Sequence, residues 1–103
     1  MPDIGGDLKG IREITACADE TVDLYFALDL LKFGHGRKTI LDMFEKWRET
    51  CKIRSDDVFL PKKLINNAIG NLDQGKHELA EKQLETAQKQ IMREALIKIS
   101  RAK

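Results

Sequence analysis

The sequence predicts an all-α fold: a small antiparallel bundle of four main helices, with a short additional helix at the N-terminus as an option. Three observations predict it. Residues 22–33, V-D-L-Y-F-A-L-D-L-L-K-F, carry two apolar stripes. At 100° per residue, Leu24, Tyr25, Leu28 and Leu31 form one, and Val22, Phe26, Leu30 and Phe33 form the other on roughly the opposite side. Second, Gly34, Gly36 and Gly75 punctuate runs of helical periodicity. Third, no segment alternates apolar and polar residues with period two over a useful length. A helix apolar on two sides is expected to be covered on two sides, so residues 22–33 are read as the central strut.

Residues 1–6 contain two glycines and little to bury, and are expected to be a flexible tail, leaving 7–103 as one domain. From Asp7, the spacing Leu8, Ile11, Ile14 or Thr15, and Ala18 suits a short amphipathic helix. Asp19 and Thr21 are good N-caps, which favours a break near 18–19 over a continuous helix. Gly34-His35-Gly36 should end the central helix and reverse the chain. A second main helix then starts near Arg37 or Lys38 and aligns Ile40, Phe44, Trp47 and Cys51. Arg54, Ser55, Asp56 and Asp57 form a loop rich in capping oxygens. The third helix tolerates Pro61 in its first turn and buries Leu60, Leu64, Ile65, Ala68, Ile69 and Leu72. The last runs from Lys76 to about Arg101 and aligns Ala80, Leu84, Ala87, Ile91 and Ala95. Its Glu78–Lys82, Glu85–Lys89 and Glu94–Lys98 spacings each favour helix by about 0.2–0.5 kcal/mol.

A chain of 103 residues with 42% hydrophobic content can bury a core without staples. Cys17 and Cys51 lie beside apolar neighbours outside any C-x-x-C pair, and are expected to be free thiols acting as small hydrophobes. The first residues have neither a basic start nor an apolar run, and no stretch reaches the ~18 apolar residues of a membrane span, so a cytoplasmic protein is expected. Lys and Arg (18) nearly balance Asp and Glu (17), which removes net charge as an argument for nucleic acid. The balance is uneven, however: residues 1–60 hold 12 acids and 9 bases, and residues 61–103 hold 5 acids and 9 bases.

Residues 64–87 resemble one tetratricopeptide-type helical hairpin. The resemblance rests on Ala68 in the first helix, Gly75 at the turn, and Ala80, Leu84 and Ala87 in the second. Leu64 stands where a larger side chain is usual, His77 stands for the expected aromatic, and no second copy follows. The resemblance implies peptide or protein binding, not catalysis. A plain bundle that shares this hairpin is the alternative.

Reactive chemistry has little support. His35 and His77 are the only imidazoles, and with Cys17 and Cys51 they lack paired metal-ligand spacing. Glu-x-x-His pairs, a phosphate loop and a nucleophile–His–acid order are all absent, so neither an enzyme nor a cofactor or metal is expected. Asp29 lies between the two apolar stripes. It either pairs with a base such as Lys32 or Arg37, or serves as a polar groove residue for a ligand. The expected role is therefore a non-catalytic interaction module binding another protein or a second copy of itself. Leu79, Leu96 and Ile97 fall off the main stripe of the last helix, which drifts toward Met92, Ala95 and Ile99 near its end. Leu79, Leu96, Ile97 and Ile99 are the candidate partner residues, and the last two turns, 96–102, are expected to help form the partner surface. The alternative is nucleic-acid binding through Lys82, Lys89 and Arg93, although Glu78 and Glu85 interleave with them.

Overall fold

The structure, a computed structural model, describes residues 4–54, 56 and 58–101, with side chains from residue 11 onward. It contains α1 (Ile4–Leu31), α2 (Ile40–Thr50), α3 (Phe59–Asp73) and α4 (His77–Arg101), and no strand among the described residues. The helices run up, down, up and down around a ring. Thr21 meets Trp47 across α1 and α2, Asn71 meets Gln83 across α3 and α4, and Lys32 meets Glu85 across α4 and α1. The body is long and thin, 60 × 22 × 16 Å.

Each helix that leads into a turn ends in the same way. His35 N–H bonds to Leu30 C=O and Gly34 N–H to Leu31 C=O. Lys76 pairs likewise with Asn71 and Gly75 with Leu72, and Ile53 pairs with Arg48 and Lys52 with Glu49. This is the Schellman arrangement, which satisfies orphan carbonyls by placing one residue at positive φ. Gly34 (φ +83°) and Gly75 (φ +76°) fill that position without a Cβ penalty. At the end of α2 the position is held by Lys52, φ +55°, the sole non-glycine at positive φ among the described residues. Lys52→Gly is expected to raise stability by about 0.5–1 kcal/mol in a urea melt, since the left-handed region costs an L-residue about 1–2 kcal/mol. The exposed Lys52–Glu13 pair lost in the exchange is worth little.

The core is built from one face of each helix: Leu24, Leu28 and Leu31 of α1, Ile40, Phe44 and Trp47 of α2, Ile65, Ala68 and Leu72 of α3, and Ala80, Leu84, Ala87, Ile91 and Ala95 of α4. Small residues at Ala68, Ala80 and Ala87 allow α3 and α4 to approach closely. At the α1–α2 contact the equivalent roles fall to large side chains, so the two hairpins are not copies of one another. Gln88 is buried and donates to the Tyr25 carbonyl at 2.9 Å, which pins the register of α4 against α1.

Several expectations are corrected. The first helix does not break near 18–19: α1 is continuous from Ile4, so residues 4–6 of the expected tail are helical, while residues 1–3 and the Asp7 and Leu8 side chains lie outside what is described. Thr21 does not cap a new helix; its side chain is buried and its hydroxyl donates to the Cys17 carbonyl one turn back, at 2.6 Å. Cys17 and Cys51 are not free but joined in a disulfide, with Cα atoms 4.9 Å apart. Helix α2 begins at Ile40, later than Arg37 or Lys38, and Leu60 of α3 is exposed rather than buried. Ser55 and Asp57 of the capping loop lie outside the described residues, and Val58, the N-cap of α3, makes no side-chain capping bond.

The largest correction concerns α1 itself. Leu24, Leu28 and Leu31 are sealed, but Val22, Phe26, Leu30 and Phe33 are exposed. In a ring of four helices each member buries the arc facing the centre and its two neighbours, and among the described residues no fifth element covers the outward arc of α1.

The α2–α3 seam is the thinnest, held by Lys62–Glu45 at 2.9 Å, with Arg37 of the turn before α2 paired to Asp73 at the end of α3. The Lys62 hydrogen bond holds the Glu45 carboxyl below its usual range; partial burial opposes the shift, and the charges of Arg48 and Lys62 reinforce it. A depressed carboxylate contributes stability above its unfolded pKa and loses it as pH falls through the folded value. Urea melts through the acid range should show a small loss there that is absent in Glu45→Gln.

Candidate docking face

Val22, Phe26 and Leu30 recur at i, i+4 and i+8 along the outward side of α1, and Phe33 continues the row at i+11 in the turn that follows the helix; at helical spacing all four fall within an arc of about 80°. Phe33 is 76% exposed and Phe26 59%. The rings of Tyr25 and Phe26 stand perpendicular with their centroids 6.0 Å apart, an edge-to-face pairing of a half-buried and an exposed aromatic. The row forms a ridge with a shallow groove on either side. On the α2 side, Phe26, Ala27 and Leu30 face Thr39 and Met43, with Asp23 at the rim. On the α4 side, Tyr25 and Lys32 face Gln88, Met92 and Leu96, with Lys89 and Arg93 on the far wall.

Charge follows the same division. Asp23 is exposed on the flank of the ridge turned toward α2, and Asp19 is exposed within the arc of the ridge itself, one turn before Asp23. Asp29 lies on the other flank, half exposed, and pairs with Lys32 at 3.3 Å; Lys32 also reaches Glu85 at 3.8 Å. Asp29 is thus engaged in an ion pair at the groove edge. Among the described residues Asp19, Asp23, Lys89 and Arg93 make no ion pair, whereas Glu20 is held by Lys46 and Glu45 by Lys62.

The four hydrophobic residues singled out in the last helix do not form one surface. Leu79 is exposed near the start of α4 and Leu96 near its end, about 25 Å apart along the axis. Leu96 and Ile97 line the α1–α4 groove, while Ile99 packs inward against the core, beside a hollow that reaches Cys17 and Cys51. Ala102 lies outside the described residues. Of the basic face, Lys89 and Arg93 share the groove with Met92 and Leu96, but Lys82 is surrounded by Glu78, Glu81 and Glu85. Lys62 is paired and Lys63 sits over the Phe59 ring at 6.0 Å, so the positive charge forms no continuous track.

An apolar row at helical spacing has the same sequence pattern whether a neighbour covers it or not, so spacing alone does not separate this ridge from core. The acids at Asp19 and Asp23 on the same arc were the available signal that this side is wet.

His35 and His77 are both exposed, and the two sulfurs are consumed in the disulfide. Among the described residues no three His, Cys, Asp or Glu side chains converge to hold a metal ion, and no helix is long and apolar enough to cross a membrane. No family model, no curated protein and no solved structure matches this chain.

Proposed function

We propose that this chain is a non-catalytic protein-binding module whose docking surface is the ridge of Val22, Phe26, Leu30 and Phe33. The observation that carries this reading is the row itself: four large apolar side chains, contiguous and exposed, on a bundle whose interior is otherwise sealed. Soluble domains seldom leave such a row open unless something covers it. The grooves on either side add the relief into which partner side chains can fit.

A photo-cross-linking amino acid placed at Phe26 tests this, with the exposed Asn66 of α3 as the control position. Protein adducts are expected at position 26 and not at 66. Phe26→Asp should abolish binding while changing stability by no more than about 0.5 kcal/mol, because the side chain contributes little to the core. Equal cross-linking at both positions would refute the ridge as the docking surface. Titration with DNA and RNA at two salt concentrations separates this reading from nucleic-acid binding, which demands a steep salt dependence.

Location follows the state of the cysteine pair. A cytoplasmic chain meets a reducing glutathione pool that favours two thiols, and an oxidising compartment keeps the bond closed. Differential thiol labelling in cells reads this directly.

A further inference from the structure

We infer that the occupant of this docking face is a second copy of the same chain, in a two-fold symmetric pair that seats the α1 ridge of each copy in the α1–α4 groove of the other. The inference rests on the protein-binding reading of the ridge and adds what binds there. Two features of one molecule make the case. The first is shape: a ridge stands directly beside a groove, so a two-fold rotation brings the ridge of each copy to the groove of the other, as an isologous contact requires. The groove floor offers Tyr25, Met92 and Leu96 to Phe26 and Val22 of the incoming ridge.

The second feature is charge. Asp23 lies on the flank of the ridge away from its own α4, with Asp19 one turn before it on the ridge, whereas Lys89 and Arg93 lie on the far wall of the groove. The Gln88–Tyr25 bond sets α4 against α1 so that Lys89 and Arg93 are level with the Val22 and Phe26 part of the ridge. When a ridge enters the groove of a second copy, its acidic flank meets the basic wall. Among the described residues these four charges make no ion pair, while the neighbouring charges Glu20, Asp29 and Lys32 are paired. One molecule therefore presents both halves of a complementary contact. A foreign partner would have to reproduce this pattern of apolar and opposite-charge groups; a second copy already has it.

Sedimentation equilibrium of the full chain over a wide concentration range tests this. The wild type is expected to reach a dimer and no larger species, because an isologous contact closes on itself. Asp23→Lys and Arg93→Glu, singly, should each weaken the dimer at least about tenfold, since each change occurs twice per pair and sets like charges together. The Asp23→Lys/Arg93→Glu double variant in one chain should recover most of that loss. Asp23 and Arg93, like Phe26, are exposed, and thermal melts should confirm that the fold is kept. A monomer at every concentration overturns the inference, as does a dimer insensitive to both charge reversals or a double variant no better than the singles. If the chain stays monomeric while position 26 cross-links to a different protein, the docking face stands and the second copy falls. If it stays monomeric and position 26 captures nothing, both fall.

Discussion

Trp47→Ala is expected to lower the unfolding free energy by about 3–5 kcal/mol. Trp47 is fully buried among the residues of α1 and α2, with its ring 5.5 Å from that of Phe44. Truncation removes the largest buried side chain of the core and leaves a cavity that flanking helices can close only in part. It also ends a short polar chain: the Trp47 indole N–H donates to Thr21 Oγ1 at 2.9 Å, and the Thr21 hydroxyl donates onward to the Cys17 carbonyl. Thr21→Val isolates that contribution. It keeps the shape but leaves the indole N–H without an acceptor in a dry site, at a cost of about 1–3 kcal/mol. Thr21→Ser retains the hydroxyl and should cost less than Thr21→Val. Urea unfolding followed by circular dichroism measures all three. A loss below about 1 kcal/mol for Trp47→Ala would mean that the indole does not fill the interior.

Opening the Cys17–Cys51 bond is expected to cost about 3–4 kcal/mol, the loop-closure value for a 34-residue separation. For a domain near 100 residues this lowers Tm by on the order of 15–25 °C. The bond ties the middle of α1 to the C-cap of α2, so losing it frees the α1–α2 hairpin beside the Thr21–Trp47 bond. Calorimetry with and without dithiothreitol measures the shift, and the Cys17→Ala/Cys51→Ala pair should reproduce it without reductant. Thiol titration of the denatured, unreduced chain should find no free sulfhydryl; two would show that the bond does not form in solution. Because Thr21 and Trp47 border the sulfurs, their substitutions should not add independently to loss of the bond.

The helical content and most of the core were readable from spacing. Ala80, Leu84, Ala87, Ile91 and Ala95 repeat with the period of a helix, and all are buried as that spacing implies. The reversals at Gly34 and Gly75 were equally plain, because glycine announces a positive φ. Lys52 holds the same conformation with no such mark, so the third Schellman ending was invisible. The continuity of α1 was hidden for a related reason. Asp19 and Thr21 have the side chains of N-caps, and local chemistry alone does not show that Thr21 is turned inward to serve Trp47, 26 residues away.

By itself, then, the sequence determined the all-α class, the reversals at Gly34 and Gly75, and which stripes of each helix are greasy. Those properties depend on φ preferences and on residues within a few positions of each other. Only the tertiary structure decided which greasy stripe is covered and which cysteines meet. Burial depends on how many helices surround a given arc, and α1 has two apolar arcs but neighbours for just one. The unpaired charges of the proposed contact follow the same logic: Asp23 and Arg93 are ordinary surface residues in the linear chain, and they become complementary flanks of one face when α4 folds back beside α1.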